Sequence, residues 1–254
     1  MEFKNIPALV TGGGSGLGAA TARMLAQSGA KVTLLDRNRA AMESVAKEIG
    51  ALALECDVTN EASVKAALAT AGQAHGVARI LINCAGILGA GRILGREGPM
   101  PLDFFAQVLT VNVVGTFNLM RLAADAMSKE PELGEAKERG IIINTASIAA
   151  YEGQIGQAAY AASKGAVVSL TLPAARELAK FGIRVNAIAP GPVDTPMVAG
   201  MPADVRASLE AGIPFPSRLI RPQEFAALAR HLIENVAING EVVRLDGALR
   251  MAPK

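Results

Sequence analysis

The chain has 254 residues, of which 51% are apolar and 19% charged, and its net charge is +2. This balance supplies a large buried core and excludes a disordered or strongly charged protein; the Lys and Arg residues are scattered, so no nucleic-acid partner is expected. No apolar run approaches the roughly 18 residues of a bilayer span, and the opening MEFKNIPALV enters a strand pattern without a leader-like segment, so a soluble cytoplasmic protein with no membrane contact is the expectation.

In chain order, the first strand pattern covers 6–11 and runs into Thr11-Gly-Gly-Gly-Ser-Gly-Leu-Gly18, which opens a helical pattern over 16–28. Gly12, Gly16 and Gly18 permit a tight turn and close backbone approach to a pyrophosphate at a helix amino terminus, with Ser15 and Leu17 in the same loop. A second strand over 31–35 ends in Asp36. An acid there accepts hydrogen bonds from ribose hydroxyls and repels a 2′-phosphate, which favours NAD over NADP, although neighbouring Arg37 pulls the other way. A helix over 39–49 and a strand over 51–56 deliver Asp57 and Val58. Asp57 suits an adenine contact and, equally, the amino cap of the next helix over 60–74. The strand over 79–83 ends in Asn83-Cys84-Ala85-Gly86, whose small residues would let backbone lie against a cofactor.

A helix is expected over 102–128, a strand over 140–146, a long helix over 155–180, a strand over 183–189, and a last helix and strand over 222–233 and 241–245. Pro173 interrupts the long helix and is expected to kink it, at a cost of about 3 kcal/mol in a regular interior. Strands alternating with helices predict an α/β fold: a single-domain, doubly wound Rossmann fold over 1–254, with a seven-stranded, mostly parallel sheet and helices on both faces. Runs such as Ile80-Leu81-Ile82 are continuously apolar, as strands covered on both sides require. The loops 88–101 and 190–221 follow strands at the carboxyl edge and are the natural substrate walls, whereas 128–140 precedes a strand and belongs to the opposite edge. Cys56 and Cys84 read as small buried hydrophobes rather than a disulfide, and His75 and His231 are too far apart in sequence to support a metal site.

Tyr160-Ala-Ala-Ser-Lys164 follows Ser147 by thirteen residues. Four residues apart on a helix, Tyr160 and Lys164 share a face, and a positive charge beside a phenol lowers its pKa from about 10, each unit being worth roughly 1.4 kcal/mol. A tyrosine brought toward neutrality is a general acid or base.

Taken in order, T-G-x-x-x-G-x-G, N-C-A-G, Asn112, Ser147, Y-x-x-x-K and Pro190-Gly191 resemble the short-chain dehydrogenase/reductases over essentially the whole chain. The resemblance implies that Tyr160 exchanges a proton with the substrate oxygen and that Ser147 hydrogen-bonds that oxygen. It implies that Lys164 binds nicotinamide ribose and supports the tyrosinate, and that Asn112 positions a water leading from Lys164 to solvent. Ala85, Val193 and Thr195 join the cofactor contacts, Thr195 at the nicotinamide carboxamide. Residues 142–164, 214–219 and 239–247 resemble the branch of the family that oxidises 3-hydroxyacyl-CoA thioesters with NAD. That closer resemblance implies a homotetramer and Gln157 as a contact to the acyl thioester, while Met197, Met201 and Phe215 make an apolar lid that would discriminate weakly among substrates. Arg92 and Arg96 in the first loop are candidates for CoA phosphates. A 3-oxoacyl-carrier-protein reductase, an alcohol or steroid dehydrogenase, and a non-catalytic nucleotide-binding scaffold remain as other readings.

Overall fold

The structure is a computed structural model that describes residues 1–199 and 203–253, with the side chains at 197, 199 and 203–205 outside the description. Its strands are β1 (Pro7–Thr11), β2 (Lys31–Asp36), β3 (Leu52–Glu55), β4 (Ile80–Asn83), a short hairpin of β5 (Leu94–Gly95) and β6 (Gly98–Pro99), β7 (Gly140–Thr145), β8 (Ile183–Pro190) and β9 (Val242–Leu245). Apart from the hairpin, they form one sheet of order β3-β2-β1-β4-β7-β8-β9, with every neighbouring pair parallel. The expected mostly parallel sheet is therefore wholly parallel. The chain reverses its direction of growth between β1 and β4, and this places a crevice at their carboxyl ends.

The continuous apolar runs are explained by burial on both faces. Ala8, Val10, Ile80, Ile82, Ile141 and Ile143 point to one side, where α1 (Gly16–Gln27), α2 (Arg39–Ile49) and α9 (Pro222–Glu234) pack. Leu9, Leu81 and Ile142, one residue out of step, point to the other, toward α3 (Glu61–His75), α5 (Gly115–Ser128) and α6 (Ala158–Ala179). Each pair alternates with the period of two that a pleated strand imposes. Helix starts follow local chemistry: Asn38 and Asn60 accept from the backbone of Ala41 and Ser63 to cap α2 and α3. Gly50, at φ 67°, closes α2 in the left-handed region.

The predicted helix 102–128 is continuous but not uniform. It comprises α4 (Leu102–Leu109), a π-helical turn at Thr110–Val114 and α5. A π turn inserts one residue into the helical repeat, which apolar periodicity over so short a window does not reveal. This stretch is long and apolar enough to cross a bilayer, yet it buries Val108, Leu119, Ala123 and Met127 in the protein core. Helix α6 continues through Pro173 as one element. The loop 190–221 holds α7 (Pro196–Ala199) and α8 (Ala203–Ala211), which its proline content had hidden.

Candidate active site

The carboxyl ends of β1 and β4 open into a cleft of about 850 Å³. The glycine loop forms one wall. Gly12 has φ +63°, and a Cβ there would sit 2.9 Å from the backbone of Cys84 and Ala85, so only glycine lets β1 and β4 approach this closely. Thr11 Oγ1 accepts from the amides of Cys84 and Ala85 at 3.1 and 3.0 Å and ties the two loops together. A side chain at Gly18 would strike the Gly12 carbonyl. Ser15 makes no side-chain cap bond and the first turn of α1 has no acid, so its amides and the positive end of its dipole face the cleft unopposed.

Asp36 closes the far end. Its carboxylate accepts from the amides of Gly14 and Asn38, both at 2.9 Å, and retains lone pairs on the cleft side. Asp57 is not the cap of α3, since Asn60 takes that place. Its carboxylate accepts instead from the Thr59 hydroxyl and amide, and those bonds hold it below the usual carboxylate range, with Arg37 adding to the effect.

At the other end β7 leads to Ser147, and α6 presents Tyr160 and Lys164 one turn apart. Ser147 is buried, its Oγ accepts from the Ala149 amide at 3.1 Å, and its hydroxyl lies close enough to the Tyr160 phenol to pull its pKa down. Lys164 is buried, with Nζ 5.7 Å from the Tyr160 ring centroid and donating to the Thr145 carbonyl at 2.7 Å. Desolvation lowers its ammonium to about 8. Desolvation also raises the Tyr160 phenol, and the Ser147 hydroxyl opposes this without overturning it. The expectation that Lys164 by itself brings Tyr160 toward neutrality is corrected: desolvation of the phenol outweighs it, and Lys164 lies beneath the ring rather than at the hydroxyl.

Gly12, Ser15, Gly16, Leu17, Gly18, Asp36, Asp57, Val58, Ala85, Gly86, Ser147, Gln157, Tyr160, Lys164, Pro190, Gly191, Val193 and Thr195 all line this one cleft. Thr195 lies over the glycine loop, 3.3 Å from where a Gly16 Cβ would stand. Asn83 does not face the cleft. It pairs in register with Asn144 across β4 and β7, the two side chains share a face, and Asn83 Nδ2 donates to Asn144 Oδ1 at 2.9 Å. Asn83→Ala should therefore lower unfolding free energy by about 1–3 kcal/mol, because a buried acceptor loses its donor, while dinucleotide affinity changes less than twofold. Denaturant titration and cofactor fluorescence check both halves.

Asn112 also stands behind the cleft wall. It sits in the π turn, accepts from the Ile87 amide at 2.8 Å, and donates to the Ile87 carbonyl and to Ser163 Oγ, both at 3.0 Å. Its side chain thus fixes the loop after β4 against the residue preceding Lys164. Arg92 and Arg96 are exposed beside and within the β5–β6 hairpin and do not line the cleft. Met197 and Met201 lie outside the described side chains, and Phe215 is exposed. Both cysteines are free, and burial pushes the Cys84 thiol up to about 11.

Thr145, Ile148, Gln154 and Met251 line the cleft without having been singled out in the sequence. Thr145 acts through its carbonyl, which no residue-type signal marks. Gln154 was discoverable, three residues before Gln157, whose side chain it contacts.

The cleft fits a dinucleotide with its pyrophosphate at α1, a ribose at Asp36 and its reactive ring beside Tyr160. The short chain dehydrogenase family model matches residues 7–206, and the chain belongs to that family. It is an oxidoreductase that uses a nicotinamide cofactor on a small-molecule substrate. Among individual proteins, it is 49% identical to the 3-hydroxyacyl-CoA dehydrogenase type-2 of Bos taurus, over 99% of this chain and 98% of that one. A solved structure of 3-hydroxyacyl-CoA dehydrogenase type-2 from Mycobacterium avium is 44% identical, with TM-score 0.95 over 99% of this chain and 98% of its own. The 3-ketoacyl-(acyl-carrier-protein) reductase from Brucella melitensis, solved with NADH, is 33% identical, with TM-score 0.87 over 98% and 100% of the two chains.

Proposed function

We propose that this protein interconverts 3-hydroxyacyl-CoA and 3-ketoacyl-CoA with NAD as the hydride carrier. The observation that carries the proposal is the grouping of buried Ser147 and Lys164 with half-buried Tyr160 in the same cleft as the Asp36 carboxylate. The nicotinamide, when bound, accepts or returns the hydride at the carbinol carbon. Tyr160 Oη takes the hydroxyl proton during oxidation and gives it back during reduction. Ser147 Oγ donates to the same oxygen as its charge changes. Lys164 favours the phenolate and binds ribose hydroxyls, Asn112 holds the adjoining loop, and the Gln157 amide orients the thioester. Similarity to the 3-hydroxyacyl-CoA dehydrogenases over almost the full chain supports the thioester substrate.

Asp36 supports NAD over NADP, since a 2′-phosphate would meet its carboxylate and that of Asp57 close by. Acetoacetyl-CoA with NADH is the direct assay; absence of turnover on any short or medium 3-ketoacyl-CoA would rule out the substrate class. Asp36→Ala should reduce the NADH:NADPH ratio of kcat/KM about ten- to hundredfold, the worth of a charge-assisted hydrogen bond. An unchanged ratio removes Asp36 from the role. The reductase likeness favours a second reading, an acyl group carried on a protein, and NADPH preference would select it. A homotetramer is part of the proposal. Leu102, Val114, Phe117 and Leu172 are exposed on neighbouring helices and need cover, and light scattering giving the monomer mass would refute it.

A further inference from the structure

We propose that the segment Leu249–Pro253 forms the far wall of the acyl pocket and that Met251 sets the length of chain admitted; this rests on the 3-ketoacyl reading above. Met251 lines the same cleft as Ser147 and Tyr160, although 91 residues separate it from Tyr160 in sequence. It packs with Leu209 on the small apolar cluster of Ile148, Val198, Ile213, Leu219 and Leu249, which is separate from the two cores flanking the sheet. Ile148 directly follows Ser147. A chain whose oxygen lies between Ser147 and Tyr160 therefore runs over Ile148 toward Met251.

The segment is fastened on two sides, so it is a wall rather than a loose end. From the sheet side, Arg244 donates to the Leu249 carbonyl at 3.0 Å, and Leu249 donates its amide to the Asp246 carbonyl at 3.1 Å. The same Arg244 grips Glu152 with both fork nitrogens at 2.8 Å. From the helix side, Gln154 Nε2 donates to the Ala252 carbonyl at 3.1 Å, and the Ile155 amide donates to the Pro253 carbonyl at 2.9 Å. Gln154 also donates its amide to Gln157 Oε1 at 3.1 Å. One polar chain thus joins the thioester contact Gln157, through Gln154, to the backbone beside Met251. The wall is apolar where it faces the pocket and polar where it is anchored. The side chain it turns to the cleft, that of Met251, is an unbranched thioether that fills space without fixing a single shape.

The test is a series of acetoacetyl, 3-ketohexanoyl and 3-ketodecanoyl-CoA with NADH, run in parallel with the matching ethyl 3-ketoesters. The readout is the ratio of kcat/KM for the longest over the shortest member, which loss of folded protein leaves untouched. Met251→Ala should raise that ratio about tenfold and Met251→Phe should lower it by a similar factor, as a few carbons in an apolar pocket are worth. Gln154→Ala, which frees the segment, should move the ratio in the direction of Met251→Ala, and the double variant should add nothing, because both act on one wall. Ratios within twofold of wild type in both Met251 variants, or shifts of the wrong sign, overturn the proposal. Turnover of the esters but not the thioesters overturns the CoA reading and leaves Met251 to be judged on the esters; turnover of neither overturns both.

Discussion

Tyr160→Phe should lower kcat/KM for acetoacetyl-CoA reduction by roughly a hundred- to ten-thousandfold, the range a positioned proton donor contributes. The substitution keeps the ring over Lys164 and its packing, and removes one oxygen and one transferable proton. Dinucleotide affinity should therefore change little, as cofactor fluorescence would report. Because Ser147 remains, some stabilisation of the substrate oxygen survives, and the residual rate measures it. A variant keeping more than about a tenth of wild-type turnover, with a full isotope effect from deuterated NADH, would remove Tyr160 from the proton-transfer role.

Lys164→Ala has a second signature, in pH. Burial holds the Lys164 ammonium at about 8 and raises the phenol, so neither group alone is a tyrosinate near neutrality. With substrate and dinucleotide bound we expect them to titrate as a pair, the first proton lost belonging to both. The singly protonated pair includes ammonium with phenolate, the form that accepts a proton from an alcohol. Oxidation should therefore rise with pH to an inflection near 8, and reduction, which needs phenol and ammonium together, should be level below that point and fall above it. With Ala at 164 the step vanishes, and the oxidation inflection moves up toward the raised phenol value. We expect kcat/KM to drop at least about a hundredfold, as when a buried donor is lost from a catalytic site. Dinucleotide affinity should weaken as well, and the Thr145 carbonyl loses its donor. Lys164→Arg should not restore activity, since a planar fork cannot replace a compact ammonium beneath a ring. Identical pH profiles in wild type and Lys164→Ala would refute the coupling.

The glycine loop, Asp36 and the Tyr160–Lys164 spacing were legible because each depends on local geometry: a turn after a strand, a strand end, one turn of helix. The side-chain partners of Asn83 and Asn112 were not legible, for a shared physical reason. A polar residue at a strand end or in an apolar helix announces that it needs partners, but not on which side they stand. For Asn83 the partner is Asn144, sixty-one residues on, and for Asn112 it is the Ile87 backbone with Ser163. The Tyr160 phenol was misjudged because proximity of charge is readable from spacing, whereas depth of burial is not.

The order of strand and helix patterns, the face each apolar residue seeks and the spacing of the catalytic groups are properties of neighbours in the chain. By itself the sequence therefore determined a dinucleotide-binding α/β fold and the kind of chemistry at its crevice. Tertiary structure decided which carbonyl accepts the Lys164 hydrogen bond, the π turn that carries Asn112, and the placement of Met251 in one cleft with Ser147 and Tyr160. Those depend on how separate elements meet in space, and on the desolvation this meeting imposes, which no local pattern records.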